Sequence, residues 1–206
     1  MIEKTLEIFN STKRLRRLLY KHFSLNSINT VLFKEIVTFE NGAQPPKSEH
    51  IYEEKEGYVR FIQNRDYDSD NHKTYIPISK RNHLCNKYDI MIDKYGDAGA
   101  VRYGLVGAYN VALLKVIPNN ELIKEYIRDF LMQDEVKNIL YNSSQASTRP
   151  SLNDDTFLGL TIPLLNENEF KTYNKIAVIL LNLEMGYKEK ILKLKSIKEK
   201  LLLKYF

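Results

Sequence analysis

The chain of 206 residues has one cysteine, Cys85. An internal disulfide is therefore excluded, and the composition fits a reducing cytoplasm. No histidine pattern surrounds Cys85 that would make it a nucleophile, so it reads as a small packed residue. No run of about 18 apolar residues occurs, so no membrane-spanning helix is expected. Met1 to Asn10 carries Glu3 and Glu7 and lacks the apolar core of a signal peptide. The four histidines, His22, His50, His72 and His83, are each ten or more residues apart, which excludes a metal-binding pair at helical spacing.

Motifs for chemistry are equally scarce. No Gly-Lys-Ser/Thr follows Gly96 and Gly99, so there is no P-loop, and no G-x-G-x-x-G occurs. Those two glycines read instead as a hairpin turn needing positive φ. Asp66-Tyr67-Asp68-Ser69-Asp70-Asn71 begins like a calcium loop, but Asn71 stands where glycine is required and Pro77 where the bidentate glutamate belongs. It reads as an acidic turn. Glu135-Val136-Lys137, with Asp129 upstream, has the outline of a nuclease signature, yet on a predicted helix these are surface residues. The Asn-Pro-Pro-aromatic loop of adenine methyltransferases is absent, and Gln44-Pro45-Pro46-Lys47 does not substitute for it. No catalytic residue, metal ligand or cofactor is expected.

Glycine and proline nearly vanish toward the C-terminus. No proline follows Pro163, and Gly186 is the only glycine after Gly159. Residues 166–206 are thus expected to form one long helix. Tyr173, Ile176, Leu180, Leu183, Tyr187, Leu194, Ile197 and Leu201 recur at alternating three- and four-residue spacing, the seam of a coiled coil. Lys190 and Lys204 interrupt that seam, and Ile191, Leu192 and Leu202 widen it. A rod this long needs a partner helix to cover its seam. Residues 1–29 supply a candidate, an amphipathic helix over Ile2 to Phe23 with Leu15, Leu18, Leu19 and Phe23 on one side. Its end, Leu18-Leu19-Tyr20-Lys21-His22-Phe23, reads against Leu201-Leu202-Leu203-Lys204-Tyr205-Phe206, a short internal repeat bracketing a different kind of sequence.

Charge follows the same division. The formal net charge is +5. Residues 1–30 hold six Lys/Arg and two Glu, and residues 167–206 hold nine Lys and five Glu, while 31–166 hold 16 basic and 19 acidic residues. Any nucleic-acid surface in the middle must therefore be a local patch.

The middle, 30–165, reads as mixed. It begins at 31–37; short extended runs at 58–62, 75–78, 88–93 and 112–117 alternate with polar loops, followed by one helix from Leu122 to Tyr141, a polar loop over 142–150, and an extended segment at 158–164. The loop residues suited to base edges and phosphates are Lys47, Asn64, Arg65, Lys94, Tyr95, Arg102, Ser144, Gln145, Thr148 and Arg149. Arg and Lys fork to guanine, Asn and Gln to adenine, and hydroxyls reach phosphate.

The order of these features resembles the specificity (S) subunit of type I restriction–modification enzymes, and in particular half of one. The resemblance is carried by Asn41-Gly42 with Pro46-Lys47, Gly57 to Ile62, Lys87 to Met91, the Gly96 and Gly99 loop, and Val116-Ile117-Pro118. It continues through Ser143 to Arg149, Leu152, Leu160 to Leu164, and the helix closing on Lys195 to Lys198 and Leu201 to Phe206. The family's proline-rich stretch and Glu-Gln pair before the helix stand here as Leu165-Asn166-Glu167-Asn168-Glu169.

The resemblance implies an α+β fold. One β-rich target recognition domain (30–165) would be followed by a long helix (166–206) that pairs antiparallel with a partner helix, with 1–29 as the tail of a preceding conserved helix. It implies a non-catalytic, cytoplasmic DNA-binding subunit for host defence. Such a subunit recognises one half of a split double-stranded target and docks methyltransferase subunits, and through them motor-nuclease subunits. A half-subunit would pair as a homodimer, with the interface formed by Leu15, Leu18, Leu19 and the seam from Tyr173 to Leu201. The alternatives are the recognition subunit of a type II restriction enzyme and a coiled-coil adaptor that does not bind DNA.

Overall fold

The long helix starts where its side chains close the orphan backbone groups. Asn166 Oδ1 accepts from the Glu169 N–H at 3.0 Å, and Glu169 Oε2 accepts from the Asn166 N–H at 2.8 Å, a reciprocal cap. The computed structural model describes residues 1–69, 71–145 and 151–205. Its elements are α1 (Ile2–Leu25), β1 (Thr30–Leu32), α2 (Phe33–Ile36), β2 (Val37–Asn41), β3 (Tyr58–Ile62), β4 (Tyr75–Pro77) and β5 (Leu84–Cys85). Then come β6 (Ile90–Asp93), β7 (Val101–Arg102), β8 (Gly107–Tyr109), β9 (Leu113–Pro118), α3 (Lys124–Leu131), α4 (Asp134–Ser144), β10 (Thr161–Pro163) and α5 (Glu167–Tyr205). No described helix is long and apolar enough to cross a membrane.

The chain divides into two compact units, Met1–Asn29 with Pro163–Phe206, and Thr30–Ile162. In the first unit α1 and α5 lie antiparallel. Phe23 meets Tyr173 edge-on with ring centroids 5.4 Å apart, Arg16 meets Glu184, and Ile2 lies beside Leu194, Ile197 and Leu201. At about 1.5 Å per residue, the 39 residues of α5 span about 58 Å and the 24 of α1 about 36 Å. These two helices make the first unit all-helical, while α2, α3 and α4 belong to the second.

The face of α5 that is buried differs from the seam expected from spacing. Phe170, Tyr173, Ala177, Leu181, Glu184 and Ile191 are its buried residues. The buried residues of α1 are Thr5, Thr12, Arg16 and Tyr20. Ile176, Leu183, Ile197 and Leu201, like Leu15 and Leu18, are exposed instead, at 41–53%. Leu19, Leu180, Tyr187 and Leu194 are half-buried. The reason is a charge. Arg16 is buried in the α1 face, and a buried guanidinium requires a carboxylate. Glu184 supplies it at 3.3 Å, and once residue 184 points inward, residue 183 is turned about 100° away.

The second unit holds the β part. One four-stranded sheet has the order β2-β9-β6-β7, all neighbours antiparallel. Another has the order β4-β3-β8-β5, with β3 and β8 parallel, and β1 pairs with β10. Phe33, Phe39, Phe130 and Phe157 form an aromatic cluster with centroid separations from 4.5 to 6.4 Å. Ile62, Tyr67, Cys85, Met91, Tyr109 and Leu113 form a second buried group.

The single helix expected over 122–141 is two. A short 3-10 turn over Glu121–Ile123 precedes α3, and the chain breaks between Leu131 and Asp134. Gln133 is extended (φ −69°, ψ 140°) and its side-chain Nε2 donates to the Asp129 carbonyl at 2.8 Å, sealing the end of α3. Asp134 and Glu135 then begin α4, favoured by the positive end of its dipole. The helix also continues through Asn142–Ser144, which spacing had assigned to a loop.

Buried α3 is tied to the sheet region by Arg128. Its guanidinium makes two 3.0 Å bonds to the Glu125 carboxylate, donates to the Tyr88 carbonyl at 2.7 Å and lies over the Tyr103 ring. With a further 3.4 Å bond from Nη1 to the Asp89 carbonyl, four of its five N–H groups are engaged inside the protein, so the cation is structural.

Candidate nucleic-acid interface

The β6–β7 hairpin carries three of the expected contact residues. Gly96 and Gly99 turn it with φ of 73° and 89°, conformations that suit glycine, and Ala98 and Ala100 beside them are buried. The turn thereby holds Lys94 and exposed Tyr95 on its outer side and Arg102 on its return strand. Lys94 Nζ donates to Asn41 Oδ1 at 2.7 Å, and Lys137 pairs with Asp97 of the turn at 2.7 Å.

Arg102 bridges two loops. It donates to Asp93 Oδ2 through Nε at 3.1 Å and Nη2 at 2.8 Å, and to Asp68 Oδ1 through Nη1 at 3.1 Å. Burial opposes its charge, but the hydrogen bonds and charge of Asp93, with Asp68 and Asp97 further out, raise its pKa above the usual value. The Asp93 pKa is raised as well, which for a carboxyl favours the neutral form. Burial raises its pKa more than Arg102 lowers it, in keeping with a second oxygen, Oδ1, that is buried without a hydrogen-bond partner. Asp68, 68% exposed, is by contrast a solvent-facing partner.

Through Asp68 the 64–68 turn joins the hairpin. Asn64 Oδ1 accepts from the Arg65 N–H, and Arg65 is exposed. On the other side the Leu152 N–H donates to the Lys94 carbonyl, and the Ser151 N–H to the Ser144 carbonyl, bringing the end of α4 alongside. Gly99 fits there because an added Cβ would lie 3.2 Å from Leu140 Cβ. Asn64, Arg65, Lys94, Tyr95, Arg102 and exposed Gln145 therefore belong to one neighbourhood.

Two expected residues do not join them. Ser144 is 1% exposed and its hydroxyl donates to the Tyr141 carbonyl at 2.7 Å, so it closes the end of α4 and offers nothing to a ligand. Lys47 is exposed on a separate 3-10 turn, Lys47–Glu49. Thr148 and Arg149 lie outside the described residues.

This chain matches the family model of the type I restriction modification DNA specificity domain over residues 28–198. The chain belongs to that family. Among curated proteins, none matches it. Solved specificity subunits share its fold at low identity. The type I restriction–modification S subunit from M. genitalium superposes with a TM-score of 0.65 at 17% identity, over 98% of this chain and 56% of that one. The HsdS subunit from Thermoanaerobacter tengcongensis gives 0.57 at 14%, over 98% and 52%. A chain from a structure addressing complex assembly and conformational transition of the type I R-M system gives 0.56 at 16%, over 98% and 56%. The specificity domain described here thus spans little more than half the length of each.

Sequence reasoning missed a second polar group in this specificity domain. Glu40 accepts from the Tyr109 hydroxyl at 3.0 Å, meets His83 Nδ1 at 3.1 Å and pairs with Lys115 at 3.4 Å. Burial pushes the Glu40 pKa up, but Tyr109 and Lys115 outweigh it and leave the carboxyl below its usual value. Burial and the Glu40 charge push the Tyr109 phenol well above the ordinary tyrosine range. The partners come from β2, β5's approach, β8 and β9, so only the sheets assemble them. The one sequence signal nearby was Gln44-Pro45-Pro46, an extended loop with a fixed course.

Proposed function

We propose that the chain is the DNA-recognition component of a type I restriction–modification complex, itself non-catalytic and cytoplasmic. Its second unit would read one half of a split double-stranded target through Asn64, Arg65, Lys94, Tyr95, Arg102 and Gln145, with Lys47 on its separate turn, and Thr148 and Arg149, as further contacts. The observation that carries this reading is the family match over 28–198 together with the gathering of those side chains around one glycine hairpin. Physically, the exposed Asp68 is an exchangeable partner for Arg102, since an exposed ion pair is worth little and a phosphate can replace the carboxylate.

The first unit would supply assembly. Exposed Ile8, Leu15, Leu18 and Leu25 recur at seven- and three-residue spacing on α1, and Ile176, Ile179 and Leu183 at three- and four-residue spacing on α5. These stripes support pairing with a second copy, which would present two recognition units to a symmetric two-part site, and docking of methyltransferase subunits along the helices.

The test is selection from a random duplex pool with the isolated protein, combined with light scattering. Enrichment of a two-part symmetric motif by a dimer, with affinity falling steeply as salt rises, is the expected result. A protein that enriches no sequence and binds duplex without salt dependence is not the recognition component.

A further inference from the structure

We propose that the second unit carries a pocket for a single neutral nucleobase, between the 42–46 loop and the 79–83 loop. This rests on the reading of that unit as a DNA-binding module. The cavity measures about 260 Å³, just under the roughly 300 Å³ at which pockets for drug-sized ligands begin. It has room for one ring system and none for a nucleotide chain.

Both loops are anchored on the same residue. The Ala43 N–H donates to the Tyr109 carbonyl at 3.1 Å, and the Tyr109 N–H donates to the His83 carbonyl at 3.0 Å. Gly42 permits that approach, because a Cβ there would sit 2.0 Å from the Asn110 carbonyl oxygen. The far loop is held in its turn by the Asn82 side chain, which donates to the Pro77 carbonyl at 3.0 Å, and by Ser79, which accepts from the Arg81 N–H. The pocket is therefore preformed, and it keeps its shape without a ligand to order it.

Its lining selects the ligand class. Phe61, Ile76 and Ala108, each no more than 2% exposed, make an apolar floor, and Tyr109 and half-exposed His83 add ring surface. At the rim, the amides of Gln44 and Asn82 offer both donor and acceptor, the pairing suited to a base edge. Arg81 and Glu49 oppose each other in sign, so the lining favours a neutral guest over a phosphate or carboxylate. An apolar face with a hydrogen-bonding edge and no net charge describes a nucleobase. It reaches the pocket either rotated out of bound DNA or as a free nucleoside.

The experiment titrates adenosine, guanosine, cytidine and thymidine, with ribose as control, into the isotope-labelled full chain. The amide resonances of Ala43, Asn82, Ala108 and Tyr109 are followed. At least one nucleoside is expected to move them saturably, with a dissociation constant on the order of millimolar for so small a ligand, while ribose does not. Ala43→Leu, at a half-exposed position in the mouth, is expected to weaken this at least tenfold with an unchanged unfolding temperature.

A duplex carrying one bulged base, compared with its fully paired counterpart, identifies the source. Tighter binding of the bulged duplex that Ala43→Leu abolishes assigns an extruded base; nucleoside binding with no bulge preference assigns a free nucleoside. The proposal is overturned if no nucleoside moves these amides, a result that needs no variant. Salt-dependent binding of the paired duplex would then persist if the recognition reading is sound. Nucleoside shifts without any duplex binding would fail that reading alone.

Discussion

Replacing Glu184 with alanine should markedly loosen the α1–α5 pair. Arg16 and Glu184 are 1% and 0% exposed and meet at 3.3 Å through one guanidinium nitrogen. At that distance, with an effective dielectric of about 20, their attraction is about 5 kcal/mol. Much of it offsets the desolvation of the two charges, so the pair itself is worth far less than its attraction. Breaking it is another matter. Glu184→Ala keeps the Arg16 cation buried without that carboxylate, a change that costs about 3–5 kcal/mol in comparable sites. For a chain of this size the unfolding temperature should fall by roughly 6–20 °C. Urea unfolding followed by helix circular dichroism, with thermal unfolding beside it, measures the loss. Arg16→Met with Glu184→Leu should recover most of it, because an apolar pair of similar volume needs no desolvation. A loss below about 1 kcal/mol in Glu184→Ala would refute the claim that this pair decides which face of α5 turns inward.

Two further outcomes are expected. Burial, with the Asp89 charge behind it, pushes the Cys85 thiol up to about 11, so thiol reagents at pH 8 should leave it unmodified until the protein is unfolded. Arg102→Ala should destabilise the protein at pH 7 and progressively less as the pH falls. The Asp93 pKa is raised in the folded state, so its protonated form is favoured by folding and its contribution is lost as pH rises through the folded value. Removing the guanidinium strengthens that tendency. Urea midpoints of the variant and the parent between pH 4 and pH 8 would show the gap narrowing toward acid, and a gap independent of pH would count against a buried Asp93 carboxylate behind Arg102.

The long helix, the helix that pairs with it and the β-rich character of the middle were legible because each is written locally. A run without proline and alternating β-formers act within a few residues. The glycine hairpin was legible for the same reason, since positive φ at Gly96 and Gly99 is a local demand. All six residues of the hairpin neighbourhood, Asn64, Arg65, Lys94, Tyr95, Arg102 and Gln145, could be named from loop chemistry alone.

Which face of a helix turns inward is not a local property. In α5 a heptad-like seam can be drawn through residues 173, 176, 180 and 183 or through 170, 173, 177 and 181, and hydropathy does not choose between them. The choice falls to Arg16, 168 positions away, through the carboxylate it requires. The break between α3 and α4 depends on a glutamine closing back onto Asp129, where spacing alone continues the helix. Likewise Ser144 looked like a loop hydroxyl until α4 extended over it and buried it. The Glu40–His83–Tyr109 group and the pocket beside it come from separate strands, brought together by sheet order. Elements and their chemistry were therefore determined by the sequence itself, because propensity and capping operate at short range. Rotation, burial and the meeting of distant side chains were decided by the tertiary structure, where a buried charge must find its partner and sheet pairing sets which loops become neighbours.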